Sequence, residues 1–143
     1  MGRGIKLLTL VTGASGFIGK KLLSLLDKSG NEIRIISRKK HMNFSSIVCD
    51  FSIEDIPLDS LDSVNTVFHL AGFAHDMQDP VLVKNVYQRI NVEFTIQLAE
   101  LAAKSKVKNF IFVSSVKASG GLNLKKCMDE SDEYEPCLLY TSD

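Results

Sequence analysis

Three glycines at steps of three residues, Gly13, Gly16 and Gly19, stand in the run Thr12-Gly13-Ala14-Ser15-Gly16-Phe17-Ile18-Gly19. Glycines so spaced can wrap a chain around a diphosphate. The first permits a sharp turn, the second lets backbone approach the anion without a Cβ in the way, and the third allows the following helix to pack closely. The backbone N–H groups of Ser15, Phe17 and Ile18 then lie at the positive end of that helix, facing the anion. A nucleoside-triphosphate loop is excluded, because no Gly-Lys-Ser/Thr follows. A second candidate group is Ser37-Arg38-Lys39-Lys40-His41, which offers a hydroxyl, a guanidinium fork and two point charges to a further phosphate.

These groups need a scaffold, and the apolar pattern predicts one. Ile5 to Val11 is a near-continuous apolar run, as expected of a strand buried on both faces of a parallel sheet. From Phe17 to Lys28 the apolar residues Phe17, Ile18, Leu22, Leu25 and Leu26 recur at helical spacing, and Ser29-Gly30-Asn31 ends the helix. Further strands are predicted at Glu32 to Ser37, near Ile47 to Cys49, at Thr66 to Leu70 and at Lys108 to Val113. Pro80 opens a long helix to about Lys104, with Val83, Val86, Ile90, Phe94, Leu98 and Leu101 on one face. The alternation predicts an α/β fold, a Rossmann-like doubly wound parallel sheet with its ligand at the carboxyl ends of the strands. After Ser119 no periodic segment remains, so residues 1–120 are expected to form the domain. Residues 121–143 are expected to be loop or non-native tail, leaving the sheet truncated on its C-terminal side.

At 143 residues the chain suits one domain. Seventeen basic side chains balance seventeen acidic ones, so no long-range field draws in nucleic acid or an anionic membrane, and any phosphate must be held locally. Cys49, Cys127 and Cys137 are odd in number and lack CxxC spacing. That argues against a disulfide framework and a zinc site, and suits a reduced cytoplasmic setting. The apolar stretch ending at Val11 is too short for a signal peptide, and Lys6 stands where a myristoylated Gly2 would want Ser or Thr. No membrane anchor is expected.

The glycine run with Phe17-Ile18 between its last two glycines resembles the extended short-chain dehydrogenase/reductase family, the NAD-dependent epimerase/dehydratase group. His69-Leu70-Ala71-Gly72, Asn91-Val92-Glu93 and Phe112-Val113-Ser114-Ser115 agree with it in order and spacing. Ser114-Ser115-Val116-Lys117 is most similar to bacterial nucleotide-sugar 4-epimerases and 4-keto reductases. The resemblance implies that Asp50, with Phe51 beside it, accepts from the adenine amino group. It further implies that Leu70, Ala71 and Gly72 run beneath the cofactor and that the Asn91 amide braces the active-site backbone. His69 is expected to be a packed strand-end residue rather than a catalyst, and His75 a loop residue, either facing substrate or simply solvent-exposed, that is assigned no role.

An acid at the end of the second strand would take the ribose 2′-OH of NAD, whereas an Arg there favours the 2′-phosphate of NADP. No acid is present at Ser37-Arg38, so NADP is slightly favoured and NAD stays open. The resemblance implies Ser115, rather than Ser114, as the serine that holds the substrate hydroxyl, and Tyr140 as the proton-shuttling tyrosine. The lysine expected four residues after that tyrosine would fall beyond Asp143. The chain is thus expected to be the cofactor-binding portion of an NAD(P)-dependent epimerase or reductase acting at C4 of a UDP-linked hexose, inactive by itself. A homodimer is possible for the full-length form. The competing reading is a non-catalytic NAD(P)-binding redox sensor.

Overall fold

Consecutive apolar residues in a strand require cover on both faces, and Leu10 and Val11 receive it: neither is accessible to solvent. The computed structural model describes residues 7–73 and 80–115. Its strands are β1 (Leu8–Thr12), β2 (Glu32–Ser37), β3 (Ser45–Val48), β4 (Val64–His69) and β5 (Asn109–Phe112). They pair in parallel in the order β3-β2-β1-β4-β5. From edge strand β3 the chain returns to lie beside β1, so the connections leaving β1 and β4 diverge and open a crevice at the carboxyl edge.

Register determines which residues share a layer. Val11 pairs with Ile35 and Phe68, while Leu10 pairs with Arg34 and Val67 on the opposite face. Helix α1 (Phe17–Lys28) covers the first set, packing Leu22, Leu23 and Leu26 near Val11, Ile33 and Ile35. The second set is covered by Phe94, Leu98, Leu101 and Ala102. A 3-10 turn at Leu58–Leu61 joins that layer through Leu61. Arg34 secures it by donating from Nη1 to the carbonyls of Ser60 (2.8 Å) and Asp62 (3.0 Å).

The expected α/β doubly wound sheet is therefore present, with α1 and β2 at the boundaries read from sequence. Four strands shift by one to three residues at an end; β1 runs over Leu8–Thr12 rather than from Ile5 to Val11. β3 closes at Val48, yet the Cys49 amide still donates to the Ser37 carbonyl at 3.0 Å. β4 begins at Val64, and β5 ends at Phe112 although the Val113 amide reaches the His69 carbonyl at 3.1 Å. The larger difference lies in the long helix, which is α2 (Pro80–Tyr87), a π turn (Gln88–Glu93) and α3 (Phe94–Lys104) in unbroken succession. A π turn adds a residue to the helical circuit and changes which side chains face a neighbour; here Asn91 meets the backbone of Phe73. Among the described residues no helix is long and apolar enough to cross a membrane.

Candidate functional site

The glycine turn is pressed against the exit of β4. Gly13 has φ +69°, and a Cβ there would lie 2.5 Å from the Leu70 carbonyl carbon, so both torsion and space demand glycine. Gly16 donates from its amide to the Gly13 carbonyl at 3.1 Å and begins α1 without a side-chain cap or an acidic residue in the first turn. The amides of Phe17, Ile18 and Gly19 take no acceptor among the described residues. The positive end of α1 is left uncompensated, which is the electrostatic requirement for an anion.

Facing this turn is an open cleft of about 260 Å³. Its walls are Gly13 to Gly16, then Ile36, Ser37 and Arg38 at the end of β2, Asp50 and Phe51 after β3, Leu70 to Phe73 after β4, and Ile90. Gly13, Ser15, Gly16, Ser37, Arg38, Asp50, Phe51, Leu70, Ala71 and Gly72, predicted from sequence, all border it. Phe17 and Ile18 do not: their side chains are exposed on the first turn of α1, leaving only backbone for a ligand. Gly19 lies under the turn, where a Cβ would strike the Gly13 carbonyl oxygen and the Ala14 backbone. Asn91 does not border the cleft either. Its Oδ1 accepts from the Phe73 amide (2.7 Å) and its Nδ2 donates to the Phe73 carbonyl (3.0 Å).

Two polar residues of the cleft are engaged locally. The Ser37 hydroxyl donates to the Lys39 carbonyl at 2.6 Å, which commits its proton to the turn. Arg38 borders the cleft beside it and is exposed. Asp50 Oδ1 accepts from the Ser52 hydroxyl (2.6 Å) and amide (3.1 Å). Those bonds hold its pKa below the usual aspartate value, with the charge of Arg38 a lesser cause, so it is a carboxylate acceptor at neutral pH. Phe51 borders the cleft while its ring packs against Phe94 in the core, centroids 3.9 Å apart and planes tilted by 30°.

Sequence reasoning did not single out Ala14, Ile36, Phe73 or Ile90 as cleft residues. Apolar types carry no local signal for such a role; Phe73 earns its place through an edge contact with Tyr87, centroids 5.0 Å apart. His69 is fully buried, and desolvation lowers its pKa to about 4, so it is neutral and off the cleft. Ser114 and Ser115 are exposed just beyond β5 and do not border the cleft. Tyr140 and His75 lie outside the described residues. Among the described residues no group of three His, Cys, Asp or Glu could hold a metal.

Comparison with known proteins gives the same direction. The chain matches the NAD dependent epimerase/dehydratase family over residues 9–142. It is 31% identical over 130 residues to UDP-glucose 4-epimerase of Vibrio cholerae, covering 87% of this chain and 39% of that protein. It is 28% identical over 114 residues to 3-beta-hydroxysteroid dehydrogenase of Mycolicibacterium neoaurum, covering 74% and 31%. A solved structure of MoeE5 in complex with UDP-glucose and NAD superposes with a TM-score of 0.77 at 31% identity, covering 93% of this chain and 44% of that one. The chain therefore spans less than half the length of each of these relatives.

Proposed function

The chain belongs to the NAD dependent epimerase/dehydratase family, and from that premise we propose that its cleft binds NAD(P) by the diphosphate. The whole protein, on this reading, is a nucleotide-sugar epimerase or reductase acting at C4 of a UDP-linked hexose. The observation that carries the binding role is the uncompensated first turn of α1, which meets the glycine loop at the cleft wall. Asp50 accepts from the adenine amino group, Arg38 grips a ribose 2′-phosphate, and Leu70 to Gly72 form the floor. The sugar assignment is supported by the UDP-glucose 4-epimerase likeness and by MoeE5 with UDP-glucose. On the same reading Ser115 holds the substrate hydroxyl and Tyr140 supplies the phenol. NAD in that MoeE5 complex weighs towards NAD, and the absence of an acid at Ser37-Arg38 weighs towards NADP.

Bound nicotinamide dinucleotide would supply hydride chemistry; this chain's own residues would bind and orient it. Turnover of a UDP-sugar is a property of the whole protein, since this chain spans 39% of the Vibrio cholerae epimerase, and turnover by the 143-residue chain itself would overturn that part. Titration with NADH and NADPH by calorimetry tests the binding role. The expected result is binding of both, with NADPH tighter and the preference lost in Arg38→Ala, a change of about tenfold for one charge-assisted contact. Equal affinities in the unmodified chain overturn the 2′-phosphate assignment, and binding of neither overturns the dinucleotide site.

A further inference from the structure

His69 occupies the end of β4, 0% exposed, and neither ring nitrogen is idle. Its Nε2 lies 2.8 Å from Thr95 Oγ1, and the Thr95 hydroxyl in turn donates to the Asn91 carbonyl at 2.7 Å. A hydroxyl has one proton. With that proton given to Asn91, Thr95 can only accept from His69, so Nε2 carries the imidazole hydrogen. Nδ1 is then a bare acceptor, and the hydroxyl of Thr12, 2.7 Å away, donates to it. The Thr12 oxygen accepts the Ala71 amide at 3.2 Å. The bonds thus run in one sense from Ala71 through Thr12 to His69, and from His69 through Thr95 to Asn91, whose side chain clasps Phe73. The Phe94 and Phe112 rings lie 5.6 and 5.4 Å from the imidazole and shield it from water.

We propose that His69, as the neutral Nε2–H tautomer, is a positioning residue that fixes the glycine turn, the Ala71 to Phe73 floor and the π turn in one arrangement, the one that receives the dinucleotide. Thr12 immediately precedes Gly13, so a shift of its hydroxyl moves the start of the diphosphate turn; Ala71, packed against that turn, and Phe73 also border the cleft. His69 acts through these neighbours, and this inference rests on the dinucleotide reading of the cleft.

The test uses Thr95, which does not border the cleft. In the 143-residue chain Thr95→Val keeps the shape and removes the hydroxyl that fixes the tautomer. It is expected to weaken NADH binding about five- to tenfold, the scale of one net hydrogen bond, and to speed exchange of the Ala71 amide on the far side of the imidazole. Thr95→Ser keeps the hydroxyl and is expected to restore both. Nitrogen-15 spectra of the unmodified chain should show one Nε2–H imidazole from pH 8 to 6. Wild-type affinity and Ala71 exchange in Thr95→Val overturn the proposal, as does an Nδ1–H or charged ring. Should Thr95→Val not fold, the tautomer and the behaviour of Thr95→Ser decide. If the unmodified chain binds neither dinucleotide yet Ala71 exchange responds to Thr95→Val, the dinucleotide reading falls while the linkage of the two segments stands.

Discussion

A methyl group at Gly19 would lie 2.8 Å from the Ala14 Cα and 2.9 Å from its carbonyl carbon, and backbone cannot step aside as a flexible side chain can. Two effects oppose one another in Gly19→Ala. Alanine is the better helix former by about 1 kcal/mol, while overpacking against fixed backbone costs typically about 1–3 kcal/mol. Because α1 and the glycine turn are joined at that point, the clash is expected to win, with a net loss of about 1–2 kcal/mol in urea unfolding. A variant as stable as the parent would show that the turn has room to move. Gly13 is stricter still, since its positive φ adds strain to the collision. At Gly16 the nearest protein atom to an added Cβ is the Gly13 carbonyl oxygen at 3.3 Å; the geometry there leaves space for something other than protein.

Helices and loops meet at the π turn. Arg89 Nη2 donates to Asp55 Oδ1 (2.7 Å) and the Glu54 carbonyl (3.0 Å), while Asn91 holds Phe73. One turn of helix therefore holds both the loop after β3 and the loop after β4, the two that carry Asp50 and Ala71. The ion pair is partly solvent-exposed and contributes little to global stability. The amide pairing is part-buried, and its loss leaves a peptide group without its partner. Asn91→Asp retains the acceptor for the Phe73 amide but sets a carboxylate oxygen against the Phe73 carbonyl. The expected cost is about 1–3 kcal/mol at pH 7, with faster exchange of the Phe73 amide. Unchanged stability and protection would mean that the π turn does not hold this loop.

His69 is buried at the end of β4 against the α3 layer, through Thr95 and Phe94, so its titration is read in global unfolding. The folded ring resists protonation down to about pH 4, whereas the unfolded ring accepts a proton near 6.5. Below 6.5 the unfolded state binds more protons, and stability falls with pH across the window from about 6.5 to about 4. The total reaches roughly 3 kcal/mol, at about 1.4 kcal/mol per pKa unit. Asp50 and Asp55, with pKa values held below 3.8, withdraw their contribution only at lower pH. Urea midpoints at pH 7 and 4.5 should therefore differ in the parent and scarcely at all in His69→Asn, provided each is measured against its own pH 7 value. A parent curve flat across that window would place the imidazole in contact with water. At the far edge of the sheet, Phe112 and Val113 remain nearly half exposed, in a chain spanning 39% and 44% of its relatives.

Periodicity and punctuation are local properties, and the amino-acid sequence alone determined what depends on them. The apolar run before Thr12 required a strand buried on both faces, the spacing of Leu22, Leu25 and Leu26 required a helix after it, and the three glycines between required a turn open to an anion. Even the cleft's polar border, from Ser37 to Asp50, follows from strand ends in a doubly wound sheet. The π turn was not legible, because the stripe through Ile90, Phe94 and Leu98 suits an ordinary helix equally well; a bond to Phe73, eighteen residues away, distinguishes them. The state of His69 was likewise undecided. Its tautomer is set by Thr12, 57 residues distant, and Thr95, 26 residues distant, and no spacing rule reaches that far. Tertiary structure decided these points because a buried hydrogen bond is satisfied by whichever partner the fold delivers, and delivery depends on strand order rather than on neighbours in the chain.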